Sequence, residues 1–187
     1  MKDTGPESGL TPLHAACYYC SSAVVTTILK FNIDAVTQTS HQGNTPIECL
    51  SRVAREKIKW IIESEVFPNQ SVFDIMKQDF HLPKVWSTAC LLLEAEYYGT
   101  VTRPCSNDKA RQIIHACAGL EKCPSNFLQL AMKLHPEQLL EGDEEGNLPL
   151  HVAAASTSIE EGNAFSISTM KLLADAQPNA ARVRNDQ

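Results

Sequence analysis

Long hydrophobic runs are missing from this 187-residue chain. The apolar stretch at residues 89–93 falls far short of the ~18 residues that cross a bilayer as a helix, so no membrane insertion is expected. The first residues, Met1-Lys2-Asp3-Thr4-Gly5-Pro6, lack the apolar segment of a secretory signal, which points to an intracellular and most simply cytoplasmic location. Positive charge is scarce. Sixteen Lys+Arg stand against 22 Asp+Glu, for a formal net charge of -6, a poor balance for gripping the phosphates of a nucleic acid. The seven cysteines are an odd count, and without an export signal reduced thiols are the default over a disulfide framework. Also missing are the G-x-S-x-G elbow, the G-x-x-x-x-G-K-[ST] phosphate loop, a G-x-G-x-x-G turn after a strand and the H-E-x-x-H metal motif. No catalytic residue, cofactor or metal site is therefore expected. What remains, 43% apolar and 20% charged, is ordinary globular composition, enough for one domain or one run of repeats.

A repeat is present. Residues 29–47 align without gaps to residues 132–150, an offset of 103 or about three periods of 34. Lys30, Gly43, Asn44 and Pro46 fall in register with Lys133, Gly146, Asn147 and Pro149. Upstream, Gly9-Leu10-Thr11-Pro12-Leu13-His14-Ala15-Ala16 precedes Gly43-Asn44-Thr45-Pro46-Ile47-Glu48-Cys49-Leu50 by 34 positions. The last copy is Gly146-Asn147-Leu148-Pro149-Leu150-His151-Val152-Ala153, and a degraded one is Ile114-His115-Ala116-Cys117-Ala118.

Local chemistry explains the pattern. Thr11 and Thr45 can cap helices with their hydroxyls, and Pro12, Pro46 and Pro149 suit the first helical position, where a missing N–H costs nothing. Small residues follow (Ala15, Ala16, Cys49, Ala116, Cys117, Ala153, Ala154) and permit close helix approach. A second helix is expected after each. Its apolar spacing is set by Val24, Val25, Ile28 and Leu29, by Ile58, Ile61 and Ile62, by Phe127, Leu128, Leu130 and Ala131, and by Met170, Leu172 and Leu173. One such hairpin cannot bury both its faces, so neighbours must stack.

These residues resemble the ankyrin repeat, whose G-x-T-P-L-H-x-A pattern is matched by residues 9–16 at every fixed position. Thr45-Pro46-Ile47-Glu48 keeps the cap and loses the histidine, whereas Leu148-Pro149-Leu150-His151 does the reverse. The resemblance implies an all-α, ankyrin-type alpha solenoid. Its repeats would lie at about 9–40, 41–63, 108–140 and 141–183, with degenerate or inserted helices over 64–107. Within that stretch, residues 72–80 are a short helical candidate, and Pro83 opens a stronger helix over 84–98 ended by Gly99. The Val85, Trp86, Ala89, Cys90, Leu93 and Tyr97 face, widened by Leu91 and Leu92, suits a helix contacted from two sides. Residues 98–107 read as a loop or hinge, and residues 155–164 as a long connection. Residues 178–187 parallel 136–145, so the chain reads as a piece of a longer solenoid.

The tempting chemistry has plainer explanations. His14, His115 and His151 occupy one repeat slot, and an enzyme places a catalytic histidine once. The family resemblance implies that they hydrogen-bond near the turns and link neighbouring repeats, with titration near neutral pH the functional alternative. Cys17-Tyr18-Tyr19-Cys20 has C-x-x-C spacing, but no second pair completes a zinc site and no strand precedes it as in a thioredoxin-like motif. His115 and Cys117, two apart on a helix, point to different faces. The Glu141-Gly142-Asp143-Glu144-Glu145 run lacks the twelve-residue calcium pattern and reads as a solvated turn.

Surface remains. By resemblance, the turn tips and the exposed side of the first helices form a concave groove. The matching residues are Tyr18, Tyr19, Gln42, Asn44, Arg52 and Val53, with Glu144 and Glu145 in equivalent places later. The expected function is a non-enzymatic scaffold binding another protein, or another segment of its own longer chain, through that face. The alternative is a regulatory or targeting domain whose catalytic part lies outside this chain. A metal or redox protein would rest on Cys17 and Cys20 alone.

Overall fold

The computed structural model describes residues 9–19, 21–63, 72, 76, 79, 81–100, 112–156 and 164–185. Among the described residues the chain is all helical, without strands, and none of their helices is long and apolar enough to cross a membrane. Cys20, the loop at 101–107 and most of the connections at 64–80 and 157–163 lie outside the described residues.

The helices are α1 (Pro12–Tyr18), α2 (Ser22–Phe31), α3 (Pro46–Glu63), α4 (Leu82–Tyr98), α5 (Ile113–Gly119), α6 (Ser125–Leu134), α7 (Pro149–Ala155) and α8 (Ala164–Ala176). Short 3-10 turns at Ile33–Val36, Pro136–Leu139 and Pro178–Arg182 follow α2, α6 and α8. The alignment at offset 103 holds in three dimensions. Ser22 and Ser125 open α2 and α6, Ile33 and Pro136 open the turns behind them, and Pro46 and Pro149 open α3 and α7. Pro12, Pro46 and Pro149 are each the first helical residue. The Thr11 hydroxyl accepts from the His14 N–H, as a capping threonine should.

The chain divides into two compact units. Unit 1 is Met1–Lys57 with Phe73–Ser106, and unit 2 is Ile58–Val72 with Asn107–Gln187, so the boundary falls inside α3. In unit 1, α1 packs on α2, and α2 and its 3-10 turn pack on α4. The α4 helix runs from Leu82, two residues before the expected start, and ends at Gly99, whose φ of 63° supplies the left-handed cap. It is buried from Thr88 to Ala95, as a helix contacted from two sides should be. In unit 2, α5 packs on α6 and α7, while α8 packs on α7 and α6.

Two expectations fail. The second repeat has no helix-turn-helix: α3 is one unbroken helix of 18 residues. Between Leu50 and Ile58 stand Ser51-Arg52-Val53-Ala54-Arg55-Glu56-Lys57, with no glycine or proline to stop a helix and several strong helix formers to extend it. Ala154 is exposed instead of lying at a helix contact, although Cys17 at the same repeat position is fully buried. Ala153 and Ala116 do fill the contact, at 2% and 0% exposure on helices that pack together. Ala153→Leu should accordingly lower stability by roughly 1–3 kcal/mol through overpacking, read as the shift of a urea-unfolding midpoint.

Candidate functional site

The turns ahead of α3 and α7 are built alike. At Ser40 the N–H donates to the Asn44 carbonyl at 2.8 Å, and the Gly43 N–H returns to the Ser40 carbonyl at 2.9 Å. At Asp143 the same pair is made with Asn147 and Gly146, at 2.9 and 3.0 Å. The Ser40 hydroxyl accepts from the N–H groups of Gln42 and Asn44, and the Asp143 carboxylate accepts from those of Glu145 and Asn147. Burial opposes ionisation of Asp143, yet these donors outweigh it and hold its carboxyl below the ordinary value. Gly43 and Gly146, at φ 77° and 76°, take the left-handed backbone that closes each turn. Gly9 has φ 89° and a second constraint: a Cβ there would lie 1.7 Å from Cδ2 of His41, so the two turn tips touch through a missing side chain.

Behind the turns, the third helical residue does repeated work. His14 reaches the Asn44 carbonyl through Nε2 at 2.8 Å, His115 the Asn147 carbonyl at 2.9 Å, and His151 the Val183 carbonyl at 3.1 Å. A carbonyl only accepts, so Nε2 carries the proton in all three, and Nδ1 of the neutral ring is left as an acceptor. The Thr11 hydroxyl serves Nδ1 of His14 at 2.7 Å, and the Leu148 N–H serves Nδ1 of His151 at 3.0 Å. Nδ1 of His115 is buried with no partner. Burial pushes the His115 imidazole below its ordinary value, against the pull of the Asn147 carbonyl and of Asp143 and Glu141. In the second repeat Glu48 replaces the histidine. Its carboxylate accepts from the Thr45 N–H at 2.6 Å and the Thr45 hydroxyl at 3.1 Å, while that hydroxyl takes the Glu48 N–H at 3.4 Å. This is a capping box, and the T-x-x-E spacing could have announced it. No sequence signal marked Glu96, on α4 of the same unit. Its Oε2 is buried without a hydrogen bond, and burial together with the nearby Glu48 charge raises its pKa to about 7.

The surface residues picked from the sequence fall as follows. Tyr18 closes α1 half-buried, and Tyr19 caps it at 68% exposure, the two rings edge-to-face with centroids 5.4 Å apart. Gln42 is exposed on the turn tip and takes the Asn44 side-chain amide at 3.5 Å, while Asn44 itself is half-buried. Arg52 and Val53 are exposed neighbours on α3. Glu144 and Glu145 are exposed on the Asp143 turn of unit 2, where Glu145 takes the Asn147 amide at 3.2 Å. Among the described residues no three His, Cys, Asp or Glu side chains gather as metal ligands.

Residues 8–38 match the ankyrin-repeat family. No curated protein and no solved structure matches the chain. Ankyrin repeats are protein–protein interaction modules, typically without catalytic activity.

Proposed function

With an ankyrin repeat in the chain as premise, we propose that this protein is a non-enzymatic scaffold that binds a partner protein, or a further segment of its own chain, through the concave face of an ankyrin-like stack. On this reading the repeats at 9–40, 41–63, 108–140 and 141–183 belong to one array, interrupted over 64–107. The observation that carries the reading is the turn architecture. Two turns 103 residues apart use the same hydrogen bonds, and their tips carry exposed side chains on a backbone ordered before any partner arrives. Such a surface binds at small entropic cost. In unit 1 the contact residues are Tyr18, Tyr19, Gln42, Asn44, Arg52 and Val53, with Tyr19 as the aromatic anchor. Glu144 and Glu145 give the unit 2 turn an acidic tip suited to basic side chains. The working location is intracellular, where Cys17, Cys49, Cys90, Cys117 and Cys123, none of them in a disulfide, stay reduced.

The test is affinity capture with the intact chain as bait. Tyr19→Ala should cut recovery of the captured partner about tenfold while leaving the helical circular dichroism unchanged. Undiminished recovery, or a collapse of the helical signal, would refute the assignment.

A further inference from the structure

The internal repeat pairs α2 with α6, residue for residue, but the two helices differ in what covers them. On α6, Phe127, Leu130 and Leu134 form one buried stripe. Lys133, on the edge of that stripe, donates to the carbonyls of Ile61 and Ile62 at the end of α3. The last carbonyls of a helix lack intrahelical donors and form its negative end, so an ammonium both satisfies and neutralises them. Ile58 and Ile61 of that last stretch are buried as well. In unit 2, therefore, the Lys133 edge of this face takes the C-terminal turn of an amphipathic helix.

On α2 the same positions are Val24, Thr27 and Phe31, with Lys30 where α6 has Lys133. Val24 is 48% exposed, Phe31 is 88% exposed, and Thr27 and Lys30 are exposed too. The Lys30 ammonium makes no hydrogen bond or ion pair among the described residues. Nothing in the packing of α2 on α1 and α4 calls for a phenylalanine at position 31, since Val25 and Leu29 supply the buried side. We infer that the Val24–Lys30–Phe31 face of α2 is a second docking surface, and that its occupant is the C-terminal turn of an amphipathic helix from a partner protein. The partner helix packs apolar side chains spaced three or four apart on Val24 and Phe31 and sets its terminal carbonyls on Lys30. A basic last turn on that helix would be rejected.

A peptide with the sequence of Pro46–Glu63 is the natural probe, because the end of that helix already meets Lys133, the repeat equivalent of Lys30. Labelled with fluorescein at its N-terminus, it should bind the intact chain saturably by anisotropy. Phe31→Ala and Lys30→Glu should each weaken binding at least ~10-fold with unchanged circular dichroism, and Lys133→Gln and Tyr19→Ala should leave it unaffected. Three results would overturn the inference. One is no saturable binding. Another is binding that is lost with Lys133→Gln, which would mean that the peptide displaces the chain's own α3 end. The third is a concentration-dependent dimer of the wild-type chain that Phe31→Ala abolishes, which would make a second copy the occupant.

Discussion

Glu96→Gln should flatten the pH dependence of stability near neutrality and raise stability at pH about 8 by about 1–2 kcal/mol. The folded Glu96 carboxyl holds its proton up to about 7, against an ordinary value of 4.5. A raised pKa means that the folded state binds a proton that the unfolded chain has released. The contribution is fully present below pH 4.5 and is lost as pH rises through 7, leaving at higher pH a charged carboxylate in a poorly hydrated place. The full linkage value would be larger, but the side chain is only half-buried and solvent screens the remainder. Glu48→Gln tests the second cause. A glutamine can still accept from the Thr45 N–H and keep the cap, so it removes the charge and little else. It should lower the Glu96 pKa while leaving a burial-driven shift in place. Burial also acts on His115, in the opposite direction. Its depressed pKa adds stability above its ordinary value of 6.5 that is lost as pH falls below it. Urea midpoints of the wild-type and Glu96→Gln chains at pH 5, 6, 7 and 8 separate the two. Parallel profiles would mean that Glu96 is ionised throughout.

Phe127→Ala should be the most damaging substitution, costing about 3–5 kcal/mol in unit 2. The ring is fully buried on α6, so truncation removes its transfer free energy and leaves a cavity between helices that cannot close completely. Phe31→Ala, the same chemical change on the repeat-related helix, should cost under about 0.5 kcal/mol, because a ring 88% exposed has little packing to lose. Thermal and urea unfolding of the two variants side by side check the contrast. A similar loss in both would place Phe31 in a packed environment and remove the basis for a docking surface there.

The legible part of this fold was its local chemistry. Thr-Pro announced helix starts because a hydroxyl cap and a residue without an N–H suit only that position, and Gly99 announced a helix end for the matching reason. The histidine slot was legible too, since recurrence at one repeat position pointed to structure before any distance was known. Residues 51–57 of α3 hold no glycine or proline, so their local chemistry favours one long helix, against the repeat register that suggested a pair. The other failures arose where neighbours decide. Val24 and Phe127 sit at one repeat position with the same apolar character, yet one is exposed and one is buried, because cover comes from elements distant in sequence. Nothing in the sequence around Glu96 sets it apart, because its unusual proton affinity comes first from burial in the fold and then from Glu48, which lies 48 positions earlier.

The imidazole links have a polarity. Each ring reaches toward the turn that follows it in the chain, never the one before: His14 to Asn44, His115 to Asn147, His151 to Val183. The carbonyls at Asn44 and Asn147 also accept a main-chain N–H, from Ser40 and Asp143, so either can lose its histidine and keep a partner. The ring's N–H has no such reserve, and a buried donor left bare is the costlier loss. Removing the turn at Asn44 or Asn147, or the end at Val183, therefore strands a ring N–H, while removing His14 or His115 leaves the carbonyl it served with a partner. Where a histidine links two turns, fraying should be vectorial, with the later turn guarding the earlier one.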